Sequence, residues 1–326
     1  MTNNTELTRW IPFTSPRPLV SFPQRLSVKI GRIIRDSILL LCARCGISGA
    51  KIVGKTNEGN SLLRLNKNGY LGSKGSLIEA PRDRSIFESI RKYGNWEIKV
   101  SEFLSESLKK IGPNPDGKSV LLDIGANVGL VTVQALNMSK VQNDVYLFEP
   151  LENHVNAIRH NVSNIVRACN VHVVEVALSD KDGVAVIYTE VSNRGNSSLL
   201  TSVVPLNDRN QIEISTVETS RYMTNLLMGY SRIVIKCDAQ GMDALILARF
   251  PNDAWEKVFC ACVEVWALPD ISSTDVDNLI EAWSTFEYIS WSPDFDSAVD
   301  LSDVRNYWLS KSNDQRNLFL KREFAK

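Results

Sequence analysis

Val120-Leu121-Leu122-Asp123-Ile124-Gly125-Ala126-Asn127-Val128-Gly129 is the stretch on which the fold turns. An apolar run closes on an acid, two glycines bracket a tight turn, and an apolar segment of helical character follows. That is a strand, a turn and a helix start, the unit that places a nucleoside-bearing ligand at the edge of a parallel sheet. Gly125 lets the backbone approach a ligand with no Cβ in the way, and it takes a positive φ at little cost. Asp123, at the strand's carboxyl end, is set to accept from a ligand hydroxyl or ammonium group.

The spacing separates one cofactor class from another. A dinucleotide-binding loop reads Gly-x-Gly-x-x-Gly, so that helix amides meet a pyrophosphate. Here the pattern is Asp-x-Gly-x-x-x-Gly, with Asp123 where the first glycine belongs. An acid repels a pyrophosphate and attracts a cationic amino-acid tail. S-adenosylmethionine has such a tail and no phosphate. A second buried-looking strand, Val145-Tyr146-Leu147-Phe148, ends in Glu149 about one βαβ repeat downstream. A carboxylate there suits a bidentate bond to ribose hydroxyls, a role shared with NAD sites.

Composition bounds the answer. The chain has 326 residues, 44% hydrophobic and 23% charged, which is ordinary for a globular protein with ample core. Equal numbers of basic and acidic residues, 37 each, argue against a nucleic-acid binder. That balance hides an asymmetry: residues 1–60 hold nine Lys or Arg and three acids, an excess of six positive charges that the rest of the chain offsets. The six cysteines form no secreted-type framework, and Cys42-x-x-Cys45 has no second pair or nearby histidines to suggest zinc. No run reaches the ~18–20 apolar residues of a membrane span. Residues 2–6 are polar with no signal-peptide layout, so a reducing, cytoplasmic location is expected. Residues 26–45 interleave apolar positions with Lys29, Arg32 and Arg35. This basic amphipathic helix either touches a membrane surface or partner, or packs on the protein's own body or on a second copy.

Three regions are expected: a basic extension over residues 1–60, a hairpin and helical lead-in over 61–116, and the main domain over 117–326. Residues 1–20 contain Pro12, Pro16 and Pro18 and read as irregular. Short strands flank Asn66-Lys67-Asn68-Gly69, and two helices interrupted near Gly94-Asn95-Trp96 cover residues 85–111. Strands then alternate with helices: 120–124, 145–149, 171–177, a hairpin-like insertion at 184–188, a polar loop at 192–198, and 211–217. The rhythm continues with 233–237, 258–265, 288–291 and 317–320, and it predicts a doubly wound, mostly parallel sheet with helices on both faces.

In order along residues 80–325, these motifs resemble the FkbM-type S-adenosylmethionine-dependent methyltransferases. Asp123-Ile124-Gly125-Ala126-Asn127-Val128-Gly129 is similar to that family's first motif, and Phe148-Glu149-Pro150 with Asn153 to its second. Ala177-Leu178-Ser179-Asp180 with Gly183 resembles its third strand and turn, and Asn196-Ser197-Ser198-Leu199 its polar loop. Ile235-Lys236-Cys237-Asp238-Ala239-Gln240-Gly241 resembles its Lys-Ile-Asp-Val-Glu-Gly block, Val263-Glu264-Val265 its fifth strand, and Gly94-Asn95-Trp96-Glu97 the segment before the first strand. Gln240 departs from the usual Glu, which weakens any general base at that position. The resemblance implies a seven-stranded, Rossmann-like sheet of the class I methyltransferase type, with an N-terminal helical and hairpin extension. It also implies O-methylation of a carbohydrate or secondary-metabolite hydroxyl.

The cofactor residues this assigns are Asp123, Gly125, Ala126, Asn127 and Gly129 on the methionine part, and Glu149 with Pro150 at the ribose. Ala177, Leu178 and Ser179 border the adenine. A hydroxyl acceptor is a weak nucleophile and needs a base or a metal. Asp238, at a strand's carboxyl end, is the first candidate base; holding a neighbouring loop is its other reading. Lys236 precedes it by two, on the same side of the strand, and either contacts Asp238 or the cofactor carboxylate or forms a structural ion pair. Glu264 is a second candidate base, and Glu97 closes the amino-acid end of the pocket. His154, His160 and His172 read as solvated or core and form no metal-ligand cluster, so no metal is assigned. Trp266 is kept as a possible acceptor contact. Two other readings stand beside this one: an inactive methyltransferase fold serving as a binding or scaffold module, and an NAD-dependent oxidoreductase.

Overall fold

The computed structural model describes residues 22–57, 59–80, 84–112, 118–163, 169–190 and 197–323. The proline-containing residues 1–20 and Asn196 lie outside them. The chain opens with α1 (Phe22–Arg44), β1 (Ala50–Lys55), β2 (Ser61–Leu65), β3 (Leu77–Ala80), α2 (Arg84–Tyr93) and α3 (Ile98–Ile111). It continues through β4 (Lys118–Ile124), α4 (Leu130–Ser139), β5 (Asp144–Phe148), α5 (Glu152–Val162), β6 (Asn170–Val174), β7 (Ala177–Ser179), β8 (Gly183–Glu190), β9 (Ser197–Ser198) and β10 (Arg209–Glu218). Then come α6 (Thr219–Leu227), β11 (Tyr230–Cys237), α7 (Asp243–Leu247), α8 (Asn252–Lys257), β12 (Val258–Trp266), α9 (Ser273–Trp283), β13 (Tyr288–Ser290), α10 (Leu301–Trp308) and β14 (Gln315–Lys321).

Seven strands form the central sheet in the order β13-β14-β12-β11-β4-β5-β6. The five from β12 to β6 run parallel, and β14 is antiparallel to both of its neighbours. This is a doubly wound, Rossmann-like sheet. Strand order reverses between β4 and β11, and the crevice beyond their carboxyl ends is where such sheets bind ligands. Both faces are covered, so the strands read as continuous apolar runs rather than alternating ones. Leu121, Val145, Leu147, Val234, Cys260 and Cys262 point into the layer formed by α3, α4, α5 and β1–β3. Val120, Leu122, Ile124, Ile235, Val263 and Val265 point into the layer formed by α6–α10.

Two expectations shift. Residues 171–177 divide: β6 leaves the central sheet at Val174, and β7 starts a second sheet of order β7-β10-β8-β9. The strand expected at 211–217 lies in that second sheet, pairing antiparallel with β8 from Arg209↔Glu190 to Thr216↔Gly183. Its burial alternates because one face is wet: Val184 and Val186 are exposed, while Ile187 and Ile214 pack on Leu151. Period-2 alternation marks a half-buried antiparallel sheet, and the sequence carries it there. Upstream, β1 pairs with β2 and β2 with β3, so residues 50–80 form one small antiparallel sheet that shares the first core layer.

Asn161 ties that small sheet to the main one. Its buried amide donates to Glu79 O and Val128 O and accepts from Glu79 N, all at 2.8–2.9 Å. Asn161→Ala leaves three backbone groups unpaired where water is excluded. It should lower the unfolding free energy by about 2–4 kcal/mol in denaturant titrations.

Candidate active site

Alternation along each strand puts the site on one face. Asp123 shares the parity of Leu121, Lys236 and Asp238 that of Val234, and Glu264 that of Cys260 and Cys262, so all four point toward the α3–α4 layer. Lys236 lies directly opposite Asp123 in the β11–β4 register, at the point where strand order reverses. Its Nζ sits 3.0 Å from Asp123 Oδ1, donates to Gly125 O at 2.9 Å, and lies 3.8 Å from Asp238 Oδ2. Thr132 Oγ1, from the first turn of α4, donates to the other Asp123 oxygen at 2.6 Å.

The turn after β4 is held from below. Gly125 N and Ala126 N both donate to Phe148 O, and Asn127 N donates to Glu149 Oε2 at 2.9 Å. Gly125 has φ +71, and a Cβ built on it would lie 2.0 Å from Asp238 O. The space a side chain would need is therefore filled by the β11 turn: glycine is required here for two loops to nest, with the ligand face a separate matter. Asn127 is itself left-handed at φ 53, a conformation Asn tolerates, and its Oδ1 is buried with no hydrogen-bond partner among the described residues. Gly129 caps α4 at φ 75.

Glu149 is 5% exposed and already engaged. Besides Asn127 N it accepts from Leu151 N at 3.1 Å, and His154 Nδ1 lies 3.3 Å from Oε1. A carboxylate has about four acceptor positions, so one remains for a ligand hydroxyl; a bidentate grip requires His154 to give way. Pro150 follows at the rim. Ala177 packs with Leu151, Leu178 shares a cluster with Phe148, and Ser179 O accepts from Thr219 Oγ1, so β7 lies beside the end of β5.

Around Lys236 the acids outnumber the base. Burial alone would push the Lys236 ammonium down, but Asp123, Asp238 and Glu97 outweigh it and hold the group charged. Glu97 precedes α3 at the strained φ of 42 and faces the same cluster. Burial, then Asp238 and Asp123, push its carboxyl up to about 7 against the pull of Lys236. Burial and the neighbouring Asp238 and Asp243 push Glu264 well above the usual carboxylate range. Asp243 is raised to about 6 by burial and Asp238, although Ala239 N and Gly241 N donate to it.

Gln240 joins the two candidate bases. Its Nε2 donates to Asp238 Oδ1 at 2.9 Å and to Glu264 Oε2 at 3.3 Å. A glutamate there would add one more acid to the cluster, whereas the amide supplies a donor. Gln240 takes φ 50, and Ser198 Oγ donates to its carbonyl at 2.6 Å, which links the end of the polar loop to the site. Trp266 is buried with Val203, Val204 and Leu268 and donates to Asn313 Oδ1, a packing position.

Sequence reasoning missed Thr132, His154 and Gln240 as supports. Thr132 comes nine residues after Asp123, on the inward face of α4, and the helical period could have singled it out. Gln240 and His154 lie two and five residues from Asp238 and Glu149, but only the seating of the following turn and helix brings them into contact. Among the described residues no group of three or more His, Cys, Asp or Glu is arranged to hold a metal ion.

Removing the base from this cluster should be costly. Lys236→Met leaves Asp123 buried without its counter-charge and should cost about 3–5 kcal/mol in equilibrium unfolding. Adding Asp123→Asn to that variant should return part of the loss, because the two side chains are energetically coupled.

No protein-family model matches the chain, and no curated protein matches it. Similar solved structures include a SAM-dependent methyltransferase from Agrobacterium tumefaciens, at 9% identity and TM-score 0.38, over 84% of this chain and 76% of that one. Another is the methyltransferase FkbM from Methylobacillus flagellatus KT, at 13% identity and TM-score 0.34, over 73% of this chain and 55% of that one. A third is Aeropyrum pernix fibrillarin with natively bound S-adenosyl-L-methionine, at 12% identity and TM-score 0.34, over 84% and 99%. At these TM-scores the likenesses place no ligand and no reaction on this chain.

Proposed function

We propose that this chain is an S-adenosylmethionine-dependent methyltransferase of the FkbM type, acting on a hydroxyl of a carbohydrate or other small-molecule acceptor. The observation that carries the reading is the charge of the switch-point crevice. Asp123, Asp238 and Glu97 surround one ammonium, Lys236, and Glu264 lies behind Asp238, so the crevice has acid to spare and favours a cationic ligand. The same charge disfavours a dinucleotide, whose pyrophosphate would meet Asp123.

The residues fit the sulfonium cofactor. Asn127 Oδ1, buried and unpartnered, is an acceptor waiting for a donor, and Glu97 offers a second acceptor at the helix entry. Together with Asp123, Gly125, Ala126 and Gly129 they would hold the amino-acid end. The open acceptor position of Glu149 would take a ribose hydroxyl, and Pro150, Ala177, Leu178 and Ser179 would border the base. When bound, the cofactor supplies an activated methyl group on a positively charged sulfur.

The protein's part is orientation and proton removal. Holding an acceptor oxygen in line with its target supplies ~7–11 kcal/mol of the barrier. Asp238 is partly open to solvent while Glu264 is nearly sealed, so Asp238 is the base that reaches an incoming hydroxyl. Lys236 and the Gln240 amide fix its two oxygens from opposite neighbours. Glu264, kept neutral by burial, acts behind them as a positioning group.

Calorimetric titration with S-adenosylhomocysteine, with NADH as control, tests the cofactor. Saturable binding weakened by Asp123→Ala and by Glu149→Ala is expected; binding of NADH instead would overturn the reading. Asp238→Asn should retain that binding and, with an acceptor in hand, lose about 10²–10⁴-fold in kcat.

Glu97 gives the binding a pH signature. The free protein holds a proton on Glu97 below about 7, and a cation beside it favours the ionised form. Binding therefore releases a proton, and affinity should rise by up to about tenfold per pH unit below 7 and level off above it. Glu97→Gln should flatten the profile, read from binding constants measured between pH 5.5 and 8.5.

A further inference from the structure

From Ile33 onward the first helix exposes an apolar ridge. At about 100° per residue, Ile33, Ile34, Ile38 and Leu41 fall on one arc of α1, and Asp36, Leu39, Leu40 and Ala43 fall on the other. An ordinary surface helix buries the apolar arc. Here Ile33, Ile34, Ile38 and Leu41 are 55–61% exposed, while Ala43 is 2% exposed and Asp36 is tied to Lys92 and Tyr93 of α2. The docked arc is itself largely apolar, with Leu39, Leu40 and Ala43 beside Asp36, so the outward ridge is a second apolar face that stays exposed. The ridge extends past the helix: Ile47, Ile52 and Val53 are exposed too, the last two beside a bulge in the edge strand β1. Seven of the fifteen exposed large hydrophobic residues among those described thus lie between residues 33 and 53, too many for chance scatter.

Charge says what covers this ridge. Arg44, Lys51 and Lys55 are exposed along the same segment, and its Asp36 is neutralised by Lys92. A second copy would bring the same basic patch against itself, which is repulsive. A protein partner is favoured by aromatic anchors and shaped pockets, whereas the exposed large side chains between 33 and 53 are all aliphatic and line the outer arc of a helix. Aliphatic side chains flanked by cations match the acyl and headgroup layers of an anionic bilayer. No helix among the described residues is long and apolar enough to cross a membrane, so the contact lies in the interface plane.

We propose that the outer face of α1 with the start of β1 is a docking surface for anionic lipid membranes. The ridge supplies insertion, and Arg44, Lys51 and Lys55 supply attraction to the headgroups. The surface is independent of the switch-point crevice and of the methyltransferase reading.

Sedimentation of the full chain with vesicles tests it, using phosphatidylcholine alone and phosphatidylcholine with about a third phosphatidylglycerol. Binding to the anionic vesicles at least tenfold tighter than to the neutral ones, and weakened by salt, is expected. Ile34→Ser/Ile38→Ser/Leu41→Ser should lose tenfold or more, and Lys51→Glu/Lys55→Glu should lose about fivefold for each charge removed. Both variants change exposed side chains and should melt with the parent, which separates lost docking from lost folding. Three results would overturn the proposal: no sedimentation with anionic vesicles, binding that neither variant weakens, or a dimer in light scattering that the serine variant dissociates.

Discussion

One buried ammonium organises the upper edge of this sheet. Lys236 enters the only kind of environment in which a lysine can stay charged out of water: an acid directly across the strand pair, a carbonyl to receive a second proton, and a further acid beyond. Desolvating an ammonium costs several kcal/mol, and the cost is recovered only when each donor finds an acceptor. That requirement fixes more than the side chain. To present its carbonyl to Lys236, the turn after β4 must pass close to the β11 turn, and only glycine at 125 allows it. Once the turn is placed, Asn127 N reaches Glu149, and the ends of β4, β5 and β11 become a single hydrogen-bonded assembly. Its geometry is set before any ligand arrives, which is the condition for electrostatic preorganisation.

The charge count then has a chemical meaning. Because the acids share strand parity, they gather on one face, and one lysine cannot balance them. Some must stay protonated, and the burial pattern shows which: Glu264, sealed behind Gln240, and Glu97 near neutrality. A cation entering this crevice must ionise what folding had left neutral, so its affinity is tied to pH. The replacement of glutamate by Gln240 belongs to the same economy, since one more acid would raise the cost and an amide lowers it.

Much of this was legible in the chain. Strand ends are local: Asp123, Glu149, Asp238 and Glu264 each close an apolar run, and a parallel sheet delivers such residues to one edge whatever else surrounds them. The strand-helix rhythm predicts the mostly parallel sheet with helices on both faces, whereas its seven strands are what the family resemblance implies. What stayed hidden is non-local. That Gly125 makes room for the Asp238 carbonyl depends on a residue 113 positions away. That His154 occupies part of Glu149's capacity depends on how α5 seats. The second sheet was read as a hairpin plus a core strand because its partner strands are separated by a polar loop, and pairing is not a property of either strand alone.

The N-terminal segment shows the limit in the other direction. Its periodicity was plain, yet periodicity gives an apolar arc without saying which way that arc faces. Orientation is decided by the partners of the docked arc: Asp36 finds Lys92 and Tyr93, and Asn66 reaches the carbonyl of Ala43. Those bonds roll the helix until its isoleucines point away from the protein. Within a chain of zero net charge, the first sixty residues carry a surplus of six positive charges that the rest of the chain offsets. In the two proposals above, the acidic crevice takes a small cation and the basic N-terminal ridge an anionic surface, a separation that overall neutrality conceals.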